Sequence, residues 1–249
     1  MRKRAEHVKP SISRIPGARR LWGALLPARL SVLKWIYGEA YHEDVFGRMW
    51  RENSWGDAES RSGTGSNLMQ TAFLRDALPK LLQDLRVRFL LDIPCGDFRW
   101  MKEVHLPRGL VYVGADIIEQ IVTTDNDKYA DNTISFLKRD ILRDALPKAD
   151  LVLCRDCLVH FSFADIFGAI CNLKRSGSTY LLVTHFADDR QNSDIITGQW
   201  RPLNLTRAPF KFPPPRRVID ERCTEAEGRY RDKELALWRL EDLPCPSNS

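Results

Sequence analysis

From residue 88 onward the chain repeats one pattern. RFLLDI, LVYVGAD, TISFLKR, ADLVLCR and TYLLVTHF are apolar nearly throughout, with helix-sized intervals between several of them. A strand with one wet face alternates apolar and polar residues, whereas a strand that is apolar along its length is covered on both faces. The intervals IIEQIVTTDNDKYA and FADIFGAICNLKRSG have helical patterns, the second preceded by Ser162 as an N-cap. The alternation predicts an α/β fold built on a mostly parallel sheet with helices on both faces. Ligands of such sheets sit beyond the carboxyl ends of the strands, near the point where strand order reverses.

Those ends are acidic. The first run ends at Asp92, the second at Asp116, the third at Asp140, and the fourth runs into Arg155-Asp156. A single aspartate after a strand caps a helix or makes a turn. Four along one edge make a rim suited to a cationic or hydroxyl-rich ligand and poor for one dominated by phosphates. The turn after the first strand, Asp92-Ile93-Pro94-Cys95-Gly96-Asp97, has one glycine and a proline without an N–H. It is not the G-x-G-x-x-G whose amides approach a pyrophosphate, and no G-x-x-x-x-G-K-[ST] occurs. The ligand is expected to be held by something other than its phosphates.

At 249 residues, 43% of them hydrophobic, the chain can bury one sizeable core, so one domain with appendages is expected. No apolar run reaches the roughly 20 residues of a membrane span. Six cysteines (95, 154, 157, 171, 223 and 245) are scattered through a chain too long and too apolar for a disulfide scaffold. They are expected to be reduced, intracellular thiols. The net charge of +5 hides an asymmetry, because residues 1–38 carry nine Lys or Arg and one acid, Glu6. That segment is +8, which leaves −3 for the remainder. MRKRAEHVKPSISRIPGARR, broken by Pro10, Pro16 and Gly17, reads as a solvated basic arm. Being Arg-rich with a single acid, it also fits a mitochondrial transit peptide. Cytoplasmic localisation is expected, with the mitochondrial matrix as the alternative.

After the arm, Leu30, Leu33, Tyr37 and Tyr41 fall at helical spacing and predict an amphipathic helix. RENSWGDAESRSGTGSNLMQT reads as a Gly/Ser-rich loop. Ser66 would cap a helix with Met69, Phe73, Ala77 and Leu78 on its apolar face, and Pro79 would end it or open a new turn. The heptapeptide LRDALPK occurs at 74–80 and again at 142–148, with unmatched flanks. Repeat architectures recur several times, so this duplication is a coincidence. RRVIDERCTE and DKELALWRL, joined by a polar turn, read as a hairpin. Before them lies DDRQNSDIITGQWRPLNLTRAPFKFPPP, a long aromatic and Pro-rich insertion of the kind that forms lids. Trp200, Arg201 and Asn204 are its candidates for substrate contact.

Four segments, LLDIPCGDF, YVGADI, RDI at 139–141 and ADLVLCRDCLVHFS, together resemble the motifs of class I S-adenosylmethionine-dependent methyltransferases. The resemblance covers residues 60–243 and is closest to a small branch with a D-x-P-C-G-D-F/Y turn and a CRDCLVH segment. Pro94 and Cys95 stand where many members have a more glycine-rich turn. The resemblance implies a Rossmann-like seven-stranded sheet of order 3-2-1-4-5-7-6 with strand 7 antiparallel. It divides the chain into a basic arm with a helical extension (1–59), the methyltransferase domain (60–243, with a lid at 187–214) and a tail (244–249). It implies S-adenosyl-L-methionine as cofactor. Asp92 and the turn Pro94, Cys95, Gly96 and Asp97 would hold the methionine end, and Asp116 the ribose hydroxyls. Ile117 and Ile141 would sandwich the adenine, Asp140 would accept from its amine, and Arg155 would offer its backbone carbonyl near the sulfonium.

Cys154-x-x-Cys157 with His160 has metal-like spacing, but a structural zinc needs four ligands and no second cluster exists, so no metal is expected. For the chemistry, Asp156 and His160 lie i, i+4 apart and would share one face of a helical turn, Asp156 orienting the imidazole and His160 taking a proton. His185 at the end of the fifth run is the rival base. The function expected is methyl transfer to a hydroxyl or other nucleophile of a small molecule or sugar. An RNA methyltransferase guided by the basic arm is the second reading. A cofactor-binding protein without catalysis is the third.

Overall fold

The computed structural model describes residues 41–246. All but Tyr41 belong to one compact unit. The basic arm and nearly all of the amphipathic helix expected after it lie outside the described residues.

Seven strands form one sheet: β1 (Phe89–Asp92), β2 (Val111–Asp116), β3 (Ile134–Lys138), β4 (Leu151–Cys154), β5 (Tyr180–Phe186), β6 (Arg217–Asp220) and β7 (Lys233–Arg239). Their order is β3-β2-β1-β4-β5-β7-β6. The first five are mutually parallel, and β7 runs antiparallel to both β5 and β6, as expected. Strand order reverses between β1 and β4, so the tips of those two strands flank the crevice.

Alternating side chains feed two cores. Leu91, Val152, Leu181 and Val183 face α4 (Phe163–Arg175), whose Ile166, Ile170 and Leu173 are buried against them. Leu90, Leu151, Leu153 and Leu182 face the other way, onto α2 (Ala72–Asp84) and α3 (Glu119–Tyr129). Ser162 caps α4 as expected, its hydroxyl accepting from the Asp165 N–H at 3.2 Å. A further helix, α1 (Tyr41–Arg51), precedes the loop that leads to α2.

The sequence expectation for α2 needs correction. Ser66 belongs to a separate 3-10 turn, Met69 is exposed before the helix begins, and Pro79 sits inside it. A mid-helix proline costs ~3 kcal/mol or more. Leu81 and Leu82, beyond it, are both buried, and two such side chains stabilise by roughly 3–6 kcal/mol. Burial outweighs the lost backbone bond, so the helix continues to Asp84.

The cysteine expectation holds for four residues and fails for two. Cys95, Cys154, Cys157 and Cys223 are buried and free, but Cys171 of α4 is joined to Cys245 in a disulfide. After β7 the chain returns along α4, with Lys174 Nζ donating to the carbonyls of Glu241 and Leu243. That return brings the two cysteine Cα atoms to 5.3 Å across a separation of 74 residues. Disulfides typically stabilise by about 2–4 kcal/mol, and the loop-entropy account puts a crosslink of this span at the upper end, about 4 kcal/mol. Cys245→Ser should therefore lower the denaturation free energy by that amount. Thiol titration of the unfolded wild type should find four reactive groups, not six.

Candidate active site

The first cavity, of about 140 Å³, opens at the tips of β1, β2 and β4. Asp92 ends β1 and is 2% exposed, its Oδ2 accepting from the Tyr112 hydroxyl at 2.7 Å. Burial pushes its pKa up to about 7, against the pull of Tyr112 and of the Arg155 charge. Asp116 ends β2, and burial raises it to about 6 although the N–H groups of Ile118 and Gly96 both donate to it. Two desolvated carboxylates therefore face one small cavity.

The turn between them is shaped by Gly96, which has φ +57°. A Cβ there would stand 2.3 Å from the Ser62 Oγ, so only glycine lets the loop of residues 57–66 close over the turn. Pro94, Cys95 and Gly96 line the cavity as expected; Asp97 does not. Its carboxylate accepts from the Ser60 hydroxyl and the Arg61 N–H instead, tying that loop to the turn. Asp97 thus clamps the loop to the turn behind the cavity wall. Ile117, Asp140 and Ile141 also line the cavity. One Asp140 oxygen is taken by the Leu142 N–H at 2.8 Å.

A second cavity, of about 220 Å³, shares Trp55, Ser62, Asp156 and His160 with the first. Its inner wall is a buried charge cluster. Arg155 bonds Glu221 at 2.6 Å and the Gly65 carbonyl at 2.8 Å, and lies 3.3 Å from Asp156. Lys233, 5% exposed at the side chain, bonds Asp156 at 2.7 Å and approaches Glu221 at 3.4 Å. Burial works against the Asp156 carboxylate, but Lys233 and Arg155 hold its pKa well below the usual range. A Cβ on Gly65 would sit 3.0 Å from the Asp156 carboxylate, so this glycine lets the loop lie against the cluster.

His160 stands at the junction of the cavities. Asp156, at φ +51°, precedes a 3-10 turn (Leu158–His160) instead of sharing a helical face with it. The Asp156 carboxylate is bound to Lys233 and Arg155, and orientation of the imidazole falls to the Gln199 carbonyl, 3.1 Å from Nδ1. A carbonyl only accepts, so Nδ1 carries the proton and Nε2 keeps its lone pair. Part of the ring reaches solvent, yet burial of the rest lowers the pKa to about 4, outweighing the Asp156 charge. The imidazole is neutral at physiological pH.

Three other candidates lie elsewhere. His185 lines neither cavity: its Nδ1 accepts from the Leu205 N–H at 3.1 Å and its ring packs edge-on against Trp238. It faces the sheet side opposite Thr184, whose hydroxyl accepts from the Asp156 N–H. Arg201 is 6% exposed, its guanidinium donating to the carbonyls of Leu158, Val159, Phe161 and Ser193. Asn204 is 3% exposed and donates to the Asp188 carbonyl at 3.1 Å. Both anchor the insertion; only Trp200 reaches a cavity. The sequence reading missed Trp55, Ser62, Glu221, Glu225, Tyr230 and Lys233. The signal available was an acid closing VIDE and a lysine opening KELALW, charges at the ends of strands that pair inside the sheet.

Cys154 and Cys157 are buried, and the hydrogen bond with Cys154 together with burial raises the Cys157 thiol. Among the described residues no group of three or more His, Cys, Asp or Glu could hold a metal ion. No described helix is long and apolar enough to cross a membrane.

The raised Asp92 pKa has a consequence for stability. Between about pH 4 and pH 7 the folded protein keeps a proton here that the unfolded chain has released, so stability falls as pH rises through that window. Asp92→Asn removes the buried charge and keeps an acceptor for Tyr112. Urea denaturation should show parity with wild type near pH 4 and a gain of about 1–3 kcal/mol near pH 8.

No family profile matches the chain, and no curated protein does. Among solved structures, the N-methyltransferase NodS from Bradyrhizobium japonicum WM9 aligns over 70% of this chain and 98% of its own, at 16% identity and a TM-score of 0.52. Human N-acetylserotonin methyltransferase, solved in complex with SAM, aligns over 84% of this chain and 69% of its own, at 16% identity and a TM-score of 0.45. The methyltransferase domain of bacterial CtHen1 aligns over 48% of this chain and 66% of its own, at 12% identity and a TM-score of 0.42. With the strand order β3-β2-β1-β4-β5-β7-β6 and a cavity at the β1–β4 switch point, the chain has the fold of the class I S-adenosylmethionine-dependent methyltransferases.

Proposed function

We propose that the chain is a methyltransferase that uses S-adenosyl-L-methionine to methylate a nucleophile on a small molecule. The observation that carries this reading is the pair of desolvated carboxylates, Asp92 and Asp116, flanking the Gly96 backbone in one cavity. Carboxylates whose pKa is raised by burial are stabilised in their charged form when a cation or paired hydroxyls replace the missing solvent. The amino group and ribose of the cofactor offer both. Asp92 would take the amino group and Asp116 the ribose. Ile117 and Ile141 provide apolar walls for the adenine, and the second oxygen of Asp140, 3.8 Å from the Arg143 guanidinium, an acceptor for its amine. The indole N–H of Trp55, buried without a partner among the described residues, is a further donor at the cavity wall.

Bound there, the cofactor supplies an electrophilic methyl group that needs no acid to leave. The chain's own part is alignment, exclusion of water and removal of a proton. Ser62 and Ser66 of the loop of residues 57–66 and Trp200 of the insertion line the cavities, and the second cavity meets the first at His160. Holding acceptor and donor in line removes much of the entropic cost of a bimolecular reaction. Nε2 of His160, unprotonated and fixed through Nδ1, is the group placed to accept the acceptor's proton.

Isothermal titration should show S-adenosylmethionine and S-adenosylhomocysteine binding, with NAD and ATP silent. Asp116→Ala should weaken both by about 1.5–3 kcal/mol, the scale of hydrogen bonds to a charged group. Unchanged affinity in that variant removes the ribose assignment. With an acceptor in hand, His160→Ala should lower turnover by roughly 10²–10⁴-fold at unchanged cofactor affinity.

A further inference from the structure

We propose that the second cavity binds an amine, protonated in solution and carried on an aromatic or similarly flat apolar body, and that its nitrogen is the methyl acceptor. The proposal rests on the methyltransferase reading and adds the acceptor's chemical class.

Charge balance comes first. Lys233, Asp156 and Glu225 line the inner wall and Arg155 and Glu221 are buried behind them, so the cluster holds two cations and three carboxylates. Glu221 and Asp156 are each in close contact with both cations. Glu225 is the carboxylate left over: Lys233 is 4.0 Å away and Cys223 Sγ 3.6 Å. Its side chain stays 27% exposed at the cavity. The turn that presents it, Glu225–Gly228, holds Ala226 at φ +51° and Glu227 at φ +58°. Side chains adopt that conformation only where the surroundings impose it. A cation in the cavity completes the balance, whereas a carboxylate or phosphate would deepen the imbalance in a site partly shielded from solvent.

The remaining walls fit the same ligand. Trp200 and Tyr230 lie with ring centroids 4.9 Å apart, and Phe186 is 6.1 and 6.0 Å from them. Across the cavity Trp55 stands 6.1 Å from His160. Aromatic faces attract an ammonium and stack against a flat body. Trp200 is 41% exposed, a large apolar surface left open at a cavity mouth.

The base also discriminates. A neutral imidazole with a depressed pKa is a weak proton acceptor. An alkylammonium releases its proton near pH ~10.4, against ~15.7 for the hydroxyl of bulk water, so the amine is easier to activate by about five powers of ten. In the step, the ammonium gives one proton to Nε2 of His160 and thence to solvent. The freed nitrogen lone pair forms the bond to the methyl carbon as the carbon–sulfur bond breaks, its electron pair staying on sulfur. The sulfonium becomes a neutral thioether and the product is the N-methylated amine.

The test uses full-length protein saturated with S-adenosylhomocysteine and titrated at neutral pH with three probes of one shape: 2-phenylethylamine, 2-phenylethanol and 3-phenylpropionate. The amine should bind at least tenfold more tightly than the alcohol, and the carboxylate more weakly than either. Glu225→Gln should cut the amine-to-alcohol preference to within about threefold while leaving S-adenosylhomocysteine affinity unchanged. Trp200→Ala, at an exposed position, provides a second variant should Glu225→Gln not fold. It should weaken the amine at least threefold more than the alcohol. Equal or tighter binding of the alcohol or carboxylate overturns the proposal. So does a preference that survives both substitutions, or no binding of any probe to the saturated protein. Failure of S-adenosylhomocysteine itself to bind would instead sink the cofactor reading.

Discussion

The Arg155 guanidinium is the contact on which the site depends. It leaves the tip of β4, bonds Glu221 at the end of β6, accepts a fixed place beside Asp156, and reaches the Gly65 carbonyl in the loop before α2. Lys233 at the start of β7 closes the cluster. Four segments distant in sequence are thereby held at one point. Buried ion pairs gain little over apolar packing when both partners are kept, but losing one partner leaves a charge stranded at a cost of about 3–5 kcal/mol. The cluster fixes geometry more than it adds stability. It sets the wall between the two cavities.

The strand tips carry the opposite electrostatic condition. Asp156 is kept ionised by two cations, while Asp92 and Asp116, a few residues away in the sheet, are pushed toward their neutral forms by burial. Neighbouring carboxylates at the ends of parallel strands thus have pKa values shifted in opposite directions, because two cations touch Asp156 while burial outweighs the hydrogen-bond donors at Asp92 and Asp116 and the Arg155 charge near Asp92. The poorly solvated pair is where a polar ligand has most to contribute. The ionised one is already satisfied and acts as a fixed charge.

Much of the fold was legible because burial on both faces writes itself into composition. Leu90–Leu91 and Leu151–Cys154 could be nothing but central strands, and the acids at 92, 116 and 140 marked the edge where the cavity lies. The second cavity was not legible. Its walls come from Trp55, Trp200, Glu225 and Lys233, residues in loops or at strand ends whose sequence neighbourhoods are polar and irregular. The surroundings of Arg201 and Asn204 were illegible for the same reason. A polar residue in a long loop looks free until the backbone carbonyls it satisfies are known, and here both side chains are consumed by carbonyls of packed turns. Asp156 and His160 both line the cavities, but the pairing expected of them assumed a helical turn that the structure does not form, Asp156 having a positive φ.

The heptapeptide LRDALPK separates the two kinds of information. At 74–80 it is the middle of α2, with Leu74 and Leu78 buried under the sheet and Leu81 and Leu82 continuing the apolar face past the proline. At 142–148 it is turn and extended chain, because the Asp140 and Asp144 carboxylates take nearby N–H groups and Asn172 donates to the carbonyls of Ile141 and Asp144. Sequence alone determined the mostly parallel sheet and the acidic rim, since those follow from local pattern and strand burial, while the strand order that places the switch point came only with the family resemblance. Tertiary structure decided which helix outlasts its proline, which cysteines meet and which loop residues face the cavities. Each of those depends on partners far along the chain, whose side chains compete for the same backbone groups and the same buried space.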